Sequence, residues 1–443
     1  MTVSVIEGNR TAFYQVLLNT LLVSVMNFTV WFAITFYVYL ETRSVFATGV
    51  ISGIFLVMTA LTGIWFGSLV DHFPKKTVLQ ASALISTILY AGALAVYLAT
   101  PRAEFTDPAS PVLWGMVVLL MLGVIASNPR AIALSTLVTV LIEPGSRDRA
   151  NGLVGTASGT SILVTSVISG LLVAFGGMTW VLVLALVVLG GALLHLSFVS
   201  LPEPARDATQ KRQVDLRGTI ALVRSVPGLP ALIVFSAFNN LLGGIFMALL
   251  DAYGLSLVSV QVWGLLWGLL STGFILGGLM IARTGLSANP VRVLLAINLV
   301  LWAVTVLFPL RSSVVLLCAG LFVYMTLAPY AEAAEQTILQ KVVPYERQGR
   351  VFGFAQSVEQ AASPLTAFLI SPVAQFVFIP FMTDGAGART IGGWFGTGAE
   401  RGLALVFVLT GVIGLIATTA ALRSRPYRRL STRYAEAPAP IAS

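Results

Sequence analysis

Long apolar runs recur along the chain, and short segments that contain most of the charged residues separate them. Each run has about 20 residues or more, which is enough for an α-helix to cross the hydrocarbon core of a bilayer. Because a segment in lipid must satisfy its own backbone hydrogen bonds, the pattern predicts an all-α membrane protein with twelve transmembrane helices. The predicted spans are residues 12–40, 46–70, 77–99, 112–141, 151–175, 178–200, 229–252, 257–282, 290–309, 313–341, 350–381 and 402–422.

Composition supports a protein embedded in a lipid bilayer. Apolar residues make up 57% of the chain and charged residues only 10%, whereas soluble domains carry about 25% charged residues. The formal net charge of +8 would suggest a nucleic-acid partner in a soluble protein. Membrane topology explains this charge better, so no nucleic-acid partner is predicted.

The basic residues are concentrated on one side of the predicted membrane. With the N-terminus placed inside, the inner segments contain 20 of the 26 Lys and Arg residues. The positive-inside rule then predicts cytoplasmic termini for a multi-pass protein of the plasma (inner) membrane. We interpret the first run as a retained span and not as a removed signal peptide, since it shows no small-residue cleavage site.

The spans form two blocks of six. Residues 1–200 are predicted to form an N-terminal six-helix bundle, and residues 229–443 a C-terminal bundle with a basic cytoplasmic tail. A shift of 201 residues places Arg149 on Arg350, and each follows a charged loop that contains proline. Such weak self-similarity is typical of transporters with two parallel repeats.

Residues 201–228 form the predicted cytoplasmic linker between the blocks. Leu216, Ile220 and Val223 recur in it at helical spacing, between charged residues. This pattern indicates a short helix that lies on the inner leaflet. A linker without regular structure is the alternative.

A charged turn between the second and third spans is the clearest motif. It contains Gly67, Asp71, Lys75, Lys76 and Leu79. Gly67 allows close approach of another backbone, and Asp71 could meet the positive N-terminal end of the next helix or of a neighbouring one. The turn resembles the Gly-x-x-x-Asp-x-x-x-Arg-Arg/Lys-x-x-Leu signature of the major facilitator superfamily. We expect it to act as a conformational latch on the inner side.

With this turn, the repeat and the twelve spans together, the whole chain resembles a major facilitator transporter. The resemblance implies two pseudo-symmetric bundles, in which spans 2, 5, 8 and 11 form the contact between halves and spans 1, 4, 7 and 10 line a central cavity. Small residues four apart in spans 2, 5 and 8 agree with this, because they let helix backbones approach closely. Such pairs are Gly49 and Gly53, Gly63 and Gly67, Gly155 and Gly159, Gly264 and Gly268, and Gly273 and Gly277.

A second motif resembles that of one particular group within the superfamily. Residues 343–353 read Val-Pro-Tyr-Glu-Arg-Gln-Gly-Arg-Val-Phe-Gly. This loop is similar to the Val-Pro-x-x-x-x-Gly-Arg-Val-x-Gly loop of the third drug:proton antiporter group, which includes siderophore exporters. The resemblance implies export of a hydrophobic compound in exchange for protons.

Four charged side chains lie away from the ends of the predicted spans, at positions within the membrane where such groups are costly and usually functional. They are Arg130 in span 4, Glu332 and Glu335 in span 10, and Glu359 in span 11. Two carboxylates three residues apart on one helix face should not both be ionised in a medium of low dielectric constant. We therefore expect this group to couple transport to protons.

The repeat suggests a partner for the cation. It places Arg130 opposite the residue before Glu332, and an Arg–Glu pair that forms in only one conformation would couple protonation to movement of the halves. Alternatively, Arg130 satisfies carbonyl groups freed by Pro129. Glu335 could be solvated at the inner surface, and Glu359 could be a structural partner between the halves.

Scattered amides and aromatic residues are the candidates for the cavity wall. They suit a poorly specified amphiphilic small molecule better than a sugar phosphate or a dicarboxylate, which would need a dense charged clamp. Packing or contact with lipid is the alternative for any one of them. The candidates are Asn27, Trp31, Tyr37, Asn239, Asn240, Phe246 and Tyr330.

Several absences in the sequence bear on the class of function. The chain contains no Gly-Lys dipeptide and hence no phosphate-binding loop for ATP. It has only two histidines, far apart, and no Cys/His cluster, so neither a metal nor another cofactor is expected. No Gly-x-Ser-x-Gly motif suggests a hydrolase, and we do not expect an enzyme.

The leading hypothesis is a monomeric, proton-driven multidrug exporter that works by alternating access. Export of one physiological amphiphile, such as a siderophore or a lysolipid, is the alternative within transport. A transporter-like receptor that moves nothing is the alternative from another class.

Overall fold

The computed structural model describes residues 9–42, 45–107, 109–202 and 215–436. Within these ranges, the backbone but not the side chain is described for residues 39–40, 45–50, 52–53, 56, 166–167, 170, 173–176 and 260–261. Every regular element in the described part is helical, which confirms the predicted all-α fold.

Helices α1 to α7 form the first part of the chain. Proline occupies the first position of α5 and α6, where a missing N–H group leaves no intrahelical hydrogen bond unmade. The helices are α1 (Arg10–Thr42), α2 (Val45–His72), α3 (Lys75–Ala99), α4 (Ala103–Thr106), α5 (Pro111–Ile125), α6 (Pro129–Leu141) and α7 (Arg147–Phe198).

Helices α8 to α18 follow. The side chains of Ser259, Asn289 and Ser313 each accept a hydrogen bond from a backbone N–H three residues later and so cap α10, α11 and α12. The helices are α8 (Leu216–Ser225), α9 (Leu229–Leu257), α10 (Val260–Thr284), α11 (Pro290–Leu307), α12 (Val314–Val342), α13 (Gln348–Val373), α14 (Ile379–Thr383), α15 (Ala386–Thr390), α16 (Gly392–Phe395), α17 (Ala399–Arg423) and α18 (Arg425–Glu436).

Ten helical segments of the described part are long and apolar enough to cross a membrane. They include ten of the twelve predicted spans. The other two, residues 46–70 and 151–175, coincide with α2 and with the first part of α7, which are not among the ten. The chain is therefore a multi-pass membrane protein.

Helix boundaries differ from the predicted spans at proline and glycine. Predicted span 112–141 is divided between α5 and α6, and Pro129 begins the second helix. Helix α7 continues through two predicted spans and turns at Gly177, whose φ of 59° suits glycine. Predicted span 350–381 ends in a π-helical turn at Ala374–Phe378, which follows a proline that lacks an N–H donor.

A short helix lies in the connection between the predicted blocks. Helix α8 begins after Asp215, whose carboxylate accepts a hydrogen bond of 2.7 Å from the Gly218 N–H, and it buries Thr219 and Val223. Residues 203–214 of the linker lie outside the described residues. The division of the chain into residues 1–200, 201–228 and 229–443 stays a prediction.

Helix α2 packs along α13, and the first part of α7 packs along α10. Gly67 lies directly against the backbone carbonyl of Gly349, and Gly353 lies against that of Gly63. A Cβ atom at these positions would overlap the facing backbone, so both helices need glycine there. These are the contacts between spans 2 and 11 and between spans 5 and 8 that the resemblance implied.

The small residues of α10 have mixed roles. Gly278 lies against Gly152 of α7, across the two halves. Gly277 instead faces α12, and no atom lies near a Cβ placed on Gly264 or Gly268. Only part of the predicted small-residue pattern in this span therefore serves the contact between halves.

Among the described side chains, one hydrophobic cluster joins the two halves. It combines buried residues from both halves, among them Phe13 and Ile338. This cluster lies at the end of the molecule that contains the start of α1 and helix α18. We call this end the termini side. A second cluster around Tyr90 and a third around Trp302 each belong to one half. The described hydrophobic packing between the halves therefore lies on the termini side.

Gly67→Ala should destabilise the protein. Its Cβ would meet the backbone of Gly349 and Gly353, and such overpacking costs about 1–3 kcal/mol. Thermal unfolding of the purified protein in detergent measures the change.

Gly92→Ala in α3 and Gly115→Ala in α5 are the matched controls, because a Cβ at either position meets no atom within 4 Å. Both should leave stability unchanged or raise it by up to about 1 kcal/mol. Equal loss of stability in all three variants would show that the α2–α13 contact does not require Gly67.

Candidate functional site

A cavity of about 610 Å³ lies between the two halves. Its walls come from α1, from α5 and α6, from α9 and from α12, which correspond to predicted spans 1, 4, 7 and 10. Residues of α2, α7, α11 and α13 complete the lining. The volume lies within the usual range for small-molecule sites, about 300–1,000 Å³.

The cavity wall is rich in carboxamides. Nine Asn and Gln residues line it, together with three glutamates and Arg130. Phe28, Phe55 and Phe352 add aromatic surface. The wall can therefore offer many directional hydrogen bonds beside apolar contacts. The carboxamides belong to Asn27, Asn128, Asn151, Asn239, Asn240, Asn298, Gln336, Gln356 and Gln360.

The three glutamates predicted to carry protons lie together in this wall. Glu335 of α12 and Glu359 of α13 lie next to each other, and Ser236 lies beside Glu335. Oε1 of Glu335 and Oε1 of Glu359 are buried and receive no N–H or O–H donor from the described residues. Two carboxyl groups so close fit together with a proton between them.

Glu332 occupies a different environment. Its side chain is exposed, and it faces the cavity one helical turn before Glu335. The alternative that Glu335 is solvated at the inner surface does not apply here, because that carboxyl lies at the cavity, beside Glu359. In this arrangement Glu332 can contact a ligand, while the pair behind it can hold a proton.

Arg130 lines the cavity but is held by its own half. It donates hydrogen bonds to the Leu79 carbonyl at 2.8 Å, to the Ser82 hydroxyl at 3.4 Å and to Asn19. No ion pair to Glu332 occurs in the described part of the chain, so the predicted pair is absent from this conformation. The guanidinium does not serve the carbonyls freed by Pro129 either; it joins α6 to α1 and α3.

Three of the predicted cavity residues line it. Asn27 accepts a hydrogen bond from the Tyr90 hydroxyl. Asn239 accepts one of 3.0 Å from Trp302 Nε1, and the Asn240 backbone carbonyl accepts one from Ser363. These contacts fix the helix faces that carry the amides.

The other four are not among the residues that line this cavity. Tyr37 is buried against Tyr97 in the core of the first half. Phe246 packs in the aromatic cluster of the second half, and Trp31 stacks on a phenylalanine of α2 at 4.1 Å between ring centroids. Tyr330 is half-buried on α12 outside the lining. Aromatic rings gain more by apolar packing than by facing a polar wall.

Several lining residues were missed by sequence analysis, notably Gln336, Gln356 and Gln360. Gln336 lies four positions after Glu332, Gln356 lies three before Glu359, and Gln360 lies four after Gln356. Polar residues at this spacing share one helix face, so the pattern around the glutamates could have identified them.

The charged turn forms the expected contact across the halves. The Asp71 carboxylate, only 1% exposed, accepts hydrogen bonds from the N–H groups of Gly349 at 2.7 Å and Arg350 at 2.9 Å. Both groups lie in the first turn of α13, where the helix dipole also favours a negative charge. The Arg350 side chain adds an ion pair of 3.4 Å.

The two lysines of the turn have separate roles. The Lys75 ammonium lies 4.7 Å from the ring centroid of Tyr345, on the other half. Lys76 donates to the carbonyls of Ser197 and Val199 at the end of α7, within its own half. Lys75 therefore contributes to the contact between halves, whereas Lys76 braces the turn.

Buried amides close the floor of the cavity on the termini side. Asn151 of α7 and Gln340 of α12 exchange hydrogen bonds of 2.9 and 3.2 Å, and Asn151 also donates to Thr337. Gln340 donates a further bond to the Ser135 carbonyl. These bonds must break before the cavity can open to that side.

A polar cavity enclosed by membrane-spanning helices, closed on one side by breakable contacts, is the arrangement of a membrane transporter. The sequence profile of the Major Facilitator Superfamily matches residues 16–367. The chain belongs to this superfamily, and the comparisons point to a transporter and to no family of enzymes.

Solved structures show the same fold. The human organic anion transporter MFSD10 aligns with a TM-score of 0.70 at 16% identity and covers 92% of this chain and 99% of its own. A bacterial homologue of the iron transporter ferroportin in the outward-facing state gives 0.69 at 15% identity, with coverages of 93% and 100%. The proton:xylose symporter XylE gives 0.61 at 12%, with coverages of 94% and 96%.

These structural neighbours do not indicate which substrate this protein transports. The names of the three transporters refer to organic anions, iron and xylose, and identities this low reflect a shared fold alone. A search of curated proteins gave no match.

Asp71→Asn should favour opening of the termini side. The substitution removes the ion pair and weakens charge-assisted hydrogen bonds, each worth about 1.5–3 kcal/mol, so the open population should rise roughly tenfold or more. Spin labels at Arg149→Cys and Arg292→Cys, on opposite halves in a Cys318→Ser background, would show a longer distance distribution.

Asp215→Asn is the matched control, because Asp215 also accepts a backbone N–H at a helix start but joins only residues of one segment. It should leave the distances unchanged. An Asp71→Asn protein with the parent distribution would show that the turn does not act as a latch.

Proposed function

We propose that the protein is a secondary active transporter that exports amphiphilic compounds in exchange for protons by alternating access. The Glu335–Glu359 pair is the observation that carries the proposal. Two adjacent carboxyl groups without a cation partner in the described structure require a proton, and ionisation of either would be strongly unfavourable in place. Deprotonation therefore favours a rearrangement of α12 against α13.

Such a rearrangement would act directly on the contacts that close the termini side. Gln340, which contacts Asn151 across the halves, lies on α12, and Gly349, which contacts Asp71, lies at the start of α13. Movement of either helix would strain these contacts. Proton release can in this way be coupled to opening of the termini side.

The cavity suits an amphiphilic substrate. Phe28 and Phe55 provide apolar surface, while Glu332 and the carboxamides can bind polar or cationic groups. Export, a plasma-membrane location and cytoplasmic termini follow from the resemblance to drug:proton antiporters and from the distribution of basic residues. The functional unit in this proposal is a monomer, because one chain forms the whole cavity.

A dedicated exporter of one physiological amphiphile is the second candidate. The nine carboxamides in the wall favour it. Sites that make many directional hydrogen bonds discriminate strongly against ligands that lack the matching groups. A siderophore or a lysolipid headgroup would offer such groups.

Reconstituted vesicles with an imposed pH difference test the proposal. Fluorescent lipophilic cations and labelled amphiphiles should move against their gradient and stop when a protonophore is added. Glu335→Gln and Glu359→Gln should each lower this coupled flux roughly tenfold or more, since glutamine cannot release a proton. Glu332→Gln should keep the response to the protonophore but change the range of compounds.

Glu143→Gln is the control, because this carboxyl is exposed and paired with Arg10 outside the cavity. It should transport like the parent protein. Flux that does not change when the protonophore is added would contradict proton coupling. Transport of only one of the tested compounds would favour the dedicated exporter. No flux of any compound by well-folded protein would favour a receptor that moves nothing.

A further inference from the structure

A second cavity lies on the termini side, away from the central one. This groove, of about 810 Å³, runs between α8, the end of α12 and α18, and is called here the basic groove. Arg428, Arg429 and Arg433 of α18 form one wall, where Glu436 is the only acidic residue in the lining. The transport mechanism proposed above makes no use of these arginines.

Helix α18 is held firmly by its other face. Leu430 is 2% exposed and packs against Gly228 at the start of α9. Asn289 donates a hydrogen bond of 2.6 Å to the Ser431 hydroxyl, and the Lys341 ammonium lies 4.2 Å from the centroid of the Tyr434 ring. The three arginines therefore project from a fixed helix.

In the described part of the chain, Glu436 is the one acidic side chain that lines the groove beside the three arginines. Each of the three is exposed and makes no hydrogen bond or ion pair there. Residues 203–214 contain three basic and two acidic side chains, and residues 437–443 contain no charged side chain. Neither segment contains an excess of acidic side chains.

The remaining wall of the groove is apolar. Leu222, Val226, Pro227, Val342 and Pro344 form it. An occupant that fits both walls must combine an anionic group with apolar carbon, and several guanidinium groups recognise phosphate oxygens well.

The position of the groove indicates where this occupant comes from. Helix α17 crosses the membrane and ends at Arg423, and α18 begins two residues later. Helix α18 therefore lies at the membrane surface, within reach of lipid headgroups. We propose that the basic groove binds the phosphate headgroup of an anionic membrane lipid from the leaflet on the termini side.

Lipid binding can be measured directly on the full chain. The purified protein would be mixed with phosphatidylglycerol or phosphatidylcholine, and bound lipid counted by native mass spectrometry. Phosphatidylglycerol should bind at least about tenfold more tightly, and the triple variant Arg428→Gln, Arg429→Gln, Arg433→Gln should lose most of this preference. Inorganic phosphate at the same concentration should not displace the lipid.

The triple variant Arg217→Gln, Arg423→Gln, Arg425→Gln is the matched control. It removes the same charge from exposed positions on α8, α17 and α18 that do not line the groove, and it should bind within about twofold of the parent protein. An equal loss in both variants would reduce the effect to general surface charge and overturn the proposal. Displacement by inorganic phosphate would overturn it in favour of a site for soluble anions.

Photo-crosslinking provides a measurement that needs no variant. A phosphatidylglycerol analogue with a photoreactive group near the headgroup should label peptides that contain residues 222–227, 342–344 and 428–436. Labelling spread evenly over the termini side would contradict a defined groove.

Discussion

The closed side of the transporter depends on the carboxylate of Asp71 at the N-terminal end of α13. A buried charge is tolerated only with full compensation, and here two backbone N–H groups and Arg350 supply it. These donors reach Asp71 because Gly67 and Gly349 allow α2 and α13 to touch. Packing and electrostatics therefore act together, and separation of the two helices would remove both.

This closure also sets the chemistry of the cavity. Arg130 is bonded to α1 and α3, so it does not neutralise the glutamates of the second half in this conformation. Glu335 and Glu359 then face each other across α12 and α13, the helices that also carry the contacts closing the floor. In the proposed mechanism, a proton held by this pair would influence which side is closed.

A residue's role could be predicted most reliably from the sequence where that role depends on one helix and its immediate ends. The spacing of Glu332 and Glu335 put both on one face of α12, and both line the cavity. The contact of Asp71 with a helix N-terminus could be predicted for the same reason, because the positive end of a helix dipole generally favours a carboxylate. The predicted roles of Arg130 and Tyr37 depended on which neighbour they would meet, and the structure places one among groups of its own half and the other in a core.

Apolar runs and the positions of charges were sufficient to establish an all-α, multi-pass protein with a charged turn between its second and third spans. Hydrophobic transfer and backbone hydrogen bonding act along each segment, so their result can be read locally. Only the tertiary structure decided which amides share the cavity and that Glu335 meets Glu359. Those distances join residues of different helices, and a modest rotation of one helix about its axis moves a side chain from the cavity into a core.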